Sequence, residues 1–118
     1  MNAALIEATE ANFSGETTLP PKYVETGDPV SKTWTAKEFE AGPKIKTGIW
    51  ECTVGAMKVG GYPTDEVFTV TSGKIEMINE DGSVIHIGPG QSALIPKGWK
   101  GVFNVVEHAR KCFVTAGD

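Results

Sequence analysis

Histidine and cysteine are scarce in this chain of 118 residues, with two of each. The two thiols, Cys52 and Cys112, lie far apart without a CxxC pairing, and the N-terminus has no basic-then-apolar leader. That usage fits a reducing cytoplasm, with both cysteines as small core residues. No run approaches the roughly 20 apolar residues a membrane helix needs, so no membrane partner is expected. Positive charge is also short: 11 Lys and Arg face 15 Asp and Glu, for a net charge of −4. The basic residues are scattered, leaving no electrostatic footprint for a phosphate backbone. Nucleic acid is therefore not an expected partner.

Glycine and proline are well represented, 14 and 7 residues, and they punctuate the chain. The length suits one domain with a single core. From Gly48 onward, short apolar or alternating runs recur between turn clusters, as in an antiparallel barrel or sandwich. The runs are Ile49–Val54, Glu66–Ser72, Lys74–Asn79, Val84–Ile87, Ser92–Ile95, Val102–Val106 and Arg110–Thr115. Between them fall Gly60-Gly61-Tyr62-Pro63, Ser72-Gly73, Asn79-Glu80-Asp81-Gly82, Gly88-Pro89-Gly90 and Pro96-Lys97-Gly98, where a positive or fixed φ is useful. On this reading Gly73 turns the chain between two strands, and Val106 to Arg110 spans a hairpin connection.

The first 47 residues read as an extended N-terminal arm with the first strands, and residues 48–118 as the barrel core. A short helical pattern covers Asn2–Ala8, Leu19-Pro20-Pro21 favours an extended path, and Gly27-Asp28-Pro29 is a turn. Such an arm can pair with an edge strand of its own barrel or of a partner subunit.

Two spacings are diagnostic together. Tyr62-Pro63-Thr64-Asp65-Glu66 is followed by six residues and then Gly73, and Gly90 is followed by five residues and then Pro96-Lys97-Gly98. In this order, on a strand-rich background, they resemble the two motifs of the cupin superfamily, which implies an all-β double-stranded β-helix or jelly-roll barrel. Gly48-Ile49-Trp50-Glu51-Cys52, Tyr62–Glu66, Ile95–Gly98 and Arg110-Lys111 further resemble the small single-domain cupins grouped with the cupin domain of (S)-ureidoglycine aminohydrolase. The resemblance covers roughly Gly48 to Thr115 and implies a homodimer.

Metal-binding cupins present two histidines on one strand, a Glu on the next, and a third histidine after the Pro-x-Gly turn. Here the resemblance places Glu66 at the Glu position. Gly60 and Tyr62, or a neighbour if the loop is one residue longer, take the first two histidine positions, and Gly101 takes the third. His86 and His108 fall at none of them. A His-rich metal site has no ligands to build it, so no metal and no cofactor are expected. The aminohydrolase reaction, which uses a manganese site on a two-cupin chain, is not transferred.

Strand alternation sets Glu66, Phe68 and Val70 on one face, and the resemblance turns that face inward. A carboxylate above apolar side chains has its pKa raised unless a cation compensates, which is how a general acid or base near neutral pH is made. Lys58, Lys97, Arg110 and Lys111 are the candidate cations. Lys58 shares a side with Tyr62 if the strand is unbroken through Gly60-Gly61. The bland alternative is a buried ion pair that pins the barrel mouth.

Tyr62 is the candidate partner in catalysis, and Phe68, Trp99 and Phe103 are candidate ligand contacts with Lys58, Lys97 and Lys111. Trp50 reads as packing, His86 and His108 as surface polar residues, and Glu7, Glu10, Glu38, Glu40, Lys44 and Lys46 as solvated charge. Three functions follow. One is a metal-independent lyase, isomerase or hydrolase acting on a small polar metabolite. Another is a non-catalytic module for a small carboxylate or sugar-like ligand. The third is a structural barrel whose interior is filled by Phe68, Met77 and Phe103.

Overall fold

The computed structural model describes residue 3, residues 5–39 and residues 44–117, with the backbone alone for residues 36–39. Among the described residues nine strands follow in order: β1 (Phe13–Thr18), β2 (Val24–Gly27), β3 (Val30–Phe39), β4 (Ile45–Cys52), β5 (Gly55–Gly60), β6 (Asp65–Asn79), β7 (Val84–Ile87), β8 (Ser92–Ile95) and β9 (Lys100–Ala116). Single 3₁₀ turns cover Glu10–Asn12 and Pro21–Tyr23. The all-β expectation holds. Among the described residues, no helix is long and apolar enough to cross a membrane.

Two long strands form the spine. β6 and β9 pair antiparallel along nearly their whole length, and each belongs to two half-sheets. The first half-sheet runs β1-β3-β4, then residues 109–116 of β9, then the start of β6, then β8. The second runs β2-β5, then residues 100–105 of β9, then the end of β6, then β7. The two halves fold onto each other about a bend where the β6–β9 register shifts between Val70 and Ile75.

This bend corrects two expectations. Gly73 is not a turn between strands, nor is Val106 to Arg110 a hairpin connection, because both segments lie inside continuous strands. Gly73 has φ +81°, and a Cβ there would strike the His108 carbonyl and come within 2.6 Å of the Ala109 Cα. Glycine is needed because the strands approach backbone to backbone where they bend.

Burial follows the two-residue period of a sheet with one face inward. On β6, Glu66, Phe68 and Val70 are buried, whereas Val67 and Thr71 are exposed. Phe68, Val70, Ile75, Met77, Ile87, Ile95, Val105 and Ala109 are buried in one core cluster, with Cys52 and Phe103. Each large apolar side chain so buried contributes roughly 1.5–3 kcal/mol.

The stretch before the core is built into the barrel. β1 pairs with β3 of the same chain, and β2 with β5. The helical expectation over Asn2–Ala8 falls partly on Asn2 and Ala4, which lie outside the described residues; Ala3 and Leu5–Ala8 carry no regular element. Glu7, Glu10, Lys44 and Lys46 are exposed, while Glu40 and the Glu38 side chain lie outside the description.

Candidate functional site

Between the half-sheets lies a cavity of about 270 Å³. Trp50 and Cys52 reach it from β4, Met57 and Val59 from β5, Glu66 from β6, and Phe103, Lys111 and Phe113 from β9. Tyr62 closes one side from the β5–β6 loop. Its backbone is held at both polar groups, its N–H donating to the Trp99 carbonyl at 2.9 Å and its carbonyl accepting from the Gly98 N–H at 2.7 Å. The remaining wall comes from Thr17, Leu19, Pro29, Ser31 and Thr33. An interior filled by Phe68, Met77 and Phe103 with no cavity is thereby overturned: Phe68 and Met77 are buried in the core, and Phe103 lines a space that remains open.

The centre of the site is a buried three-residue contact. Glu66 and Lys111 are each 4% exposed. The Lys111 ammonium donates to Glu66 Oε2 at 2.5 Å, and the Tyr62 hydroxyl donates to Glu66 Oε1 at 2.7 Å. Lys111 starts opposite Val70 in the β6–β9 register, and its stem carries the ammonium back toward Glu66. On the way Nζ lies 4.4 Å from the Phe68 ring centroid, 4.8 Å from Trp50 and 5.3 Å from Phe103. Three ring faces and one carboxylate thus take over part of the hydration the ammonium has lost.

The protonation chemistry follows from burial. Burial pushes the Lys111 ammonium below the ordinary lysine range, while attraction to Glu66 offsets part of that shift. The Tyr62 hydroxyl is pushed far above the usual phenol range, first by burial and then by the Glu66 charge it donates to. It therefore remains a donor at neutral pH. The Cys52 thiol is pushed up to about 11 by burial, against the opposing pull of Lys111. As a thiol rather than a thiolate it is a poor nucleophile.

The structure brings Glu66, Tyr62, Phe103 and Lys111 to this cavity and puts Phe68 beneath the ammonium. It takes four other candidates away. Lys58 points outward and pairs with Glu25 at 3.6 Å: β5 ends at Gly60, so the parity linking it to Tyr62 is broken. Lys97 is exposed, its backbone N–H held by the Asp65 carboxylate at 2.8 Å. Trp99 packs against the core from outside the cavity, its indole N–H donating to Asn79 at 2.9 Å. Arg110 also faces outward, donating to Glu51 at 3.0 Å and stacking 5.6 Å from the Trp34 ring centroid.

Trp50 both packs, edge-on to Phe103 at 5.7 Å, and lines the cavity. His86 and His108 are exposed, beside Glu76 at 3.3 Å and Glu51 at 2.5 Å respectively. Cys52 was expected only as a small core residue, and Met57, Val59 and Phe113 carried no expectation, although alternation along β4, β5 and β9 puts all four on the inner face. The wall from Thr17 to Thr33 gave no local signal, because only long-range pairing brings it to the cavity.

The residues do not fit a metal. A cation beside Glu66 would face the Lys111 ammonium, which already balances the carboxylate's charge. At Gly101 a Cβ would collide with the Ile78 carbonyl and lie 2.6 Å from the Trp99 ring, so no side chain can be added there without displacing backbone. Among the described residues, no three His, Cys, Asp or Glu side chains cluster in a way that could hold an ion.

A curled β-barrel of two half-sheets, with its cavity between them and an inward Glu on β6, defines the cupin class. Residues 39–113 match the EutQ-like cupin domain, and the chain belongs to that family. No curated protein matches. Among solved structures, a DUF861-family protein of unknown function from Pseudomonas syringae is similar over 88% of this chain, at 16% identity and a TM-score of 0.74. This chain covers only 44% of that protein's length. The Clostridium difficile EutQ protein is similar over 95% of this chain and 81% of its own, at 22% identity and a TM-score of 0.65. A DUF861 protein from Thermotoga maritima reaches 34% identity over 55% of this chain and 73% of its own, with a TM-score of 0.52.

Proposed function

We propose that the chain is a small-molecule-binding cupin whose cavity supports metal-independent proton transfer on a small polar metabolite, of lyase, isomerase or hydrolase type. The observation that carries this is Glu66, held between a phenol and an ammonium on the wall of a cavity of about 270 Å³. Each carboxylate oxygen has two lone-pair sites, so Glu66 retains acceptor capacity toward the cavity. Tyr62 and Lys111 are its proton donors.

The test is a metabolite screen read by NMR for product formation, comparing the wild-type chain with Glu66→Gln. Loss of turnover by roughly 10²–10⁴-fold in a folded variant is expected of a general acid or base. Equal turnover removes Glu66 from the mechanism.

A non-catalytic binding module is the second reading, favoured by a closed polar network: among the described residues, no buried side-chain polar atom lacks a partner. It predicts stabilisation by a ligand in thermal shift through mass action, without product. We also propose a homodimer, supported by the exposed apolar row Leu94, Val67 and Val114 on neighbouring strands. A reducing cytoplasm suits the two free thiols. The narrower grouping with the (S)-ureidoglycine aminohydrolase cupin domain rests on Tyr62–Glu66 and Ile95–Gly98 and carries no reaction with it.

A further inference from the structure

We infer that the cavity takes an uncharged ligand, an apolar body bearing one hydroxyl or carbonyl oxygen, and that the Glu66–Lys111 pair excludes carboxylates and ammonium compounds. This rests on the small-molecule reading above and narrows it, confining the metabolite's polarity to one uncharged oxygen. Of the described residues lining the cavity, Glu66 and Lys111 are the only ionisable pair of opposite sign, and they neutralise each other in direct contact.

A ligand carboxylate would have to leave water for a wall whose one cation is already committed to Glu66. It would also lie near the Glu66 charge. An ammonium compound meets the mirror-image problem at Lys111. A desolvated charge without its own counter-charge is strongly disfavoured, so the balanced pair acts against both signs.

The rest of the lining points the same way. Trp50, Met57, Val59, Phe103 and Phe113 give an apolar interior. Thr17, Ser31 and Thr33 are uncharged polar residues of the lining. At the pair itself, Lys111 carries three N–H donors, of which Glu66 Oε2 accepts one, and the Tyr62 oxygen keeps its lone pairs while its proton goes to Glu66. A hydroxyl or carbonyl oxygen suits that donor and acceptor. A cavity of about 270 Å³ suits a small molecule. Thr17, Ser31 and Thr33 precede residue 39, where the family match begins, so part of this selectivity comes from outside the family's common core.

Three probes of matched size and different charge test this: benzyl alcohol, benzoate and benzylammonium. Binding is read from the NMR signals of the Trp50 indole and the Lys111 amide. Benzyl alcohol is expected to shift both signals saturably, with the two charged probes at least tenfold weaker. In Glu66→Gln the Lys111 charge is uncompensated, and benzoate should gain at least tenfold in affinity and raise the melting temperature of the variant. Benzoate or benzylammonium binding the wild type as tightly as benzyl alcohol overturns the ligand class while the binding pocket stands. A folded Glu66→Gln chain that gains nothing for benzoate overturns the charge-balance argument. If none of the three probes moves either signal in the wild type, the pocket reading falls with the inference.

Discussion

At the scale of single residues, the decisive contact is Lys111 with Glu66. A buried ion pair is weak evidence for stability as a whole, because both ions lose hydration, yet breaking one side is costly. Lys111→Met leaves a buried carboxylate without its cation and should destabilise the fold by about 3–5 kcal/mol. Adding Glu66→Gln to it should recover much of that loss, since two neutral groups of similar size replace the pair. Urea unfolding of the four chains gives the coupling energy directly. Additive losses would mean that the two side chains do not act as a pair. The sequence put Glu66 inward through its motif and offered four cations for it. It had no means of choosing, because the choice depends on which strand returns beside β6 and which face it turns inward.

At the scale of elements, the barrel is organised by the bends of β6 and β9. Each was legible as two strands with a turn between, because Ser72-Gly73 has turn chemistry and residues 107–110 are polar enough for a loop. The structure instead uses Gly73 as a corner where two backbones touch. Gly73→Ala must adopt a positive φ with a Cβ driven into the His108 carbonyl. Strain at such a φ alone costs on the order of 1–3 kcal/mol, and the collision adds to it. Thermal unfolding should show a fall of at least several degrees, and an unchanged midpoint would contradict the corner role. Lys58 shows the same limit of local pattern: its parity with Tyr62 held only while the strand was assumed to run through Gly60-Gly61.

At the scale of the whole molecule, the cavity exists because two half-sheets close over residues far apart in sequence. Thr17 and Ser31 meet Phe113 and Lys111 only in the folded barrel. The outer face follows the same logic in reverse, since alternation that buries Glu66 and Phe68 leaves Val67 outward beside Leu94 and Val114. If that row is covered in a homodimer, light scattering should give twice the mass of one chain, and Leu94→Lys with Val67→Lys should reduce it to one. A wild-type mass of one chain would count against the dimer.

By itself the sequence determined the all-β class, the turns at Gly88-Pro89-Gly90 and Pro96-Lys97-Gly98, the inward face of β6 and the absence of histidines at the three expected positions. These are local matters of period two, glycine and proline chemistry, and residue identity. Only the tertiary structure decided that Lys111 is the cation of Glu66, that Lys58, Lys97 and Trp99 stand outside the cavity, and that the N-terminal strands supply one wall. Those facts depend on which strands pair and in what register, and register between distant strands is set by the packing of the whole core.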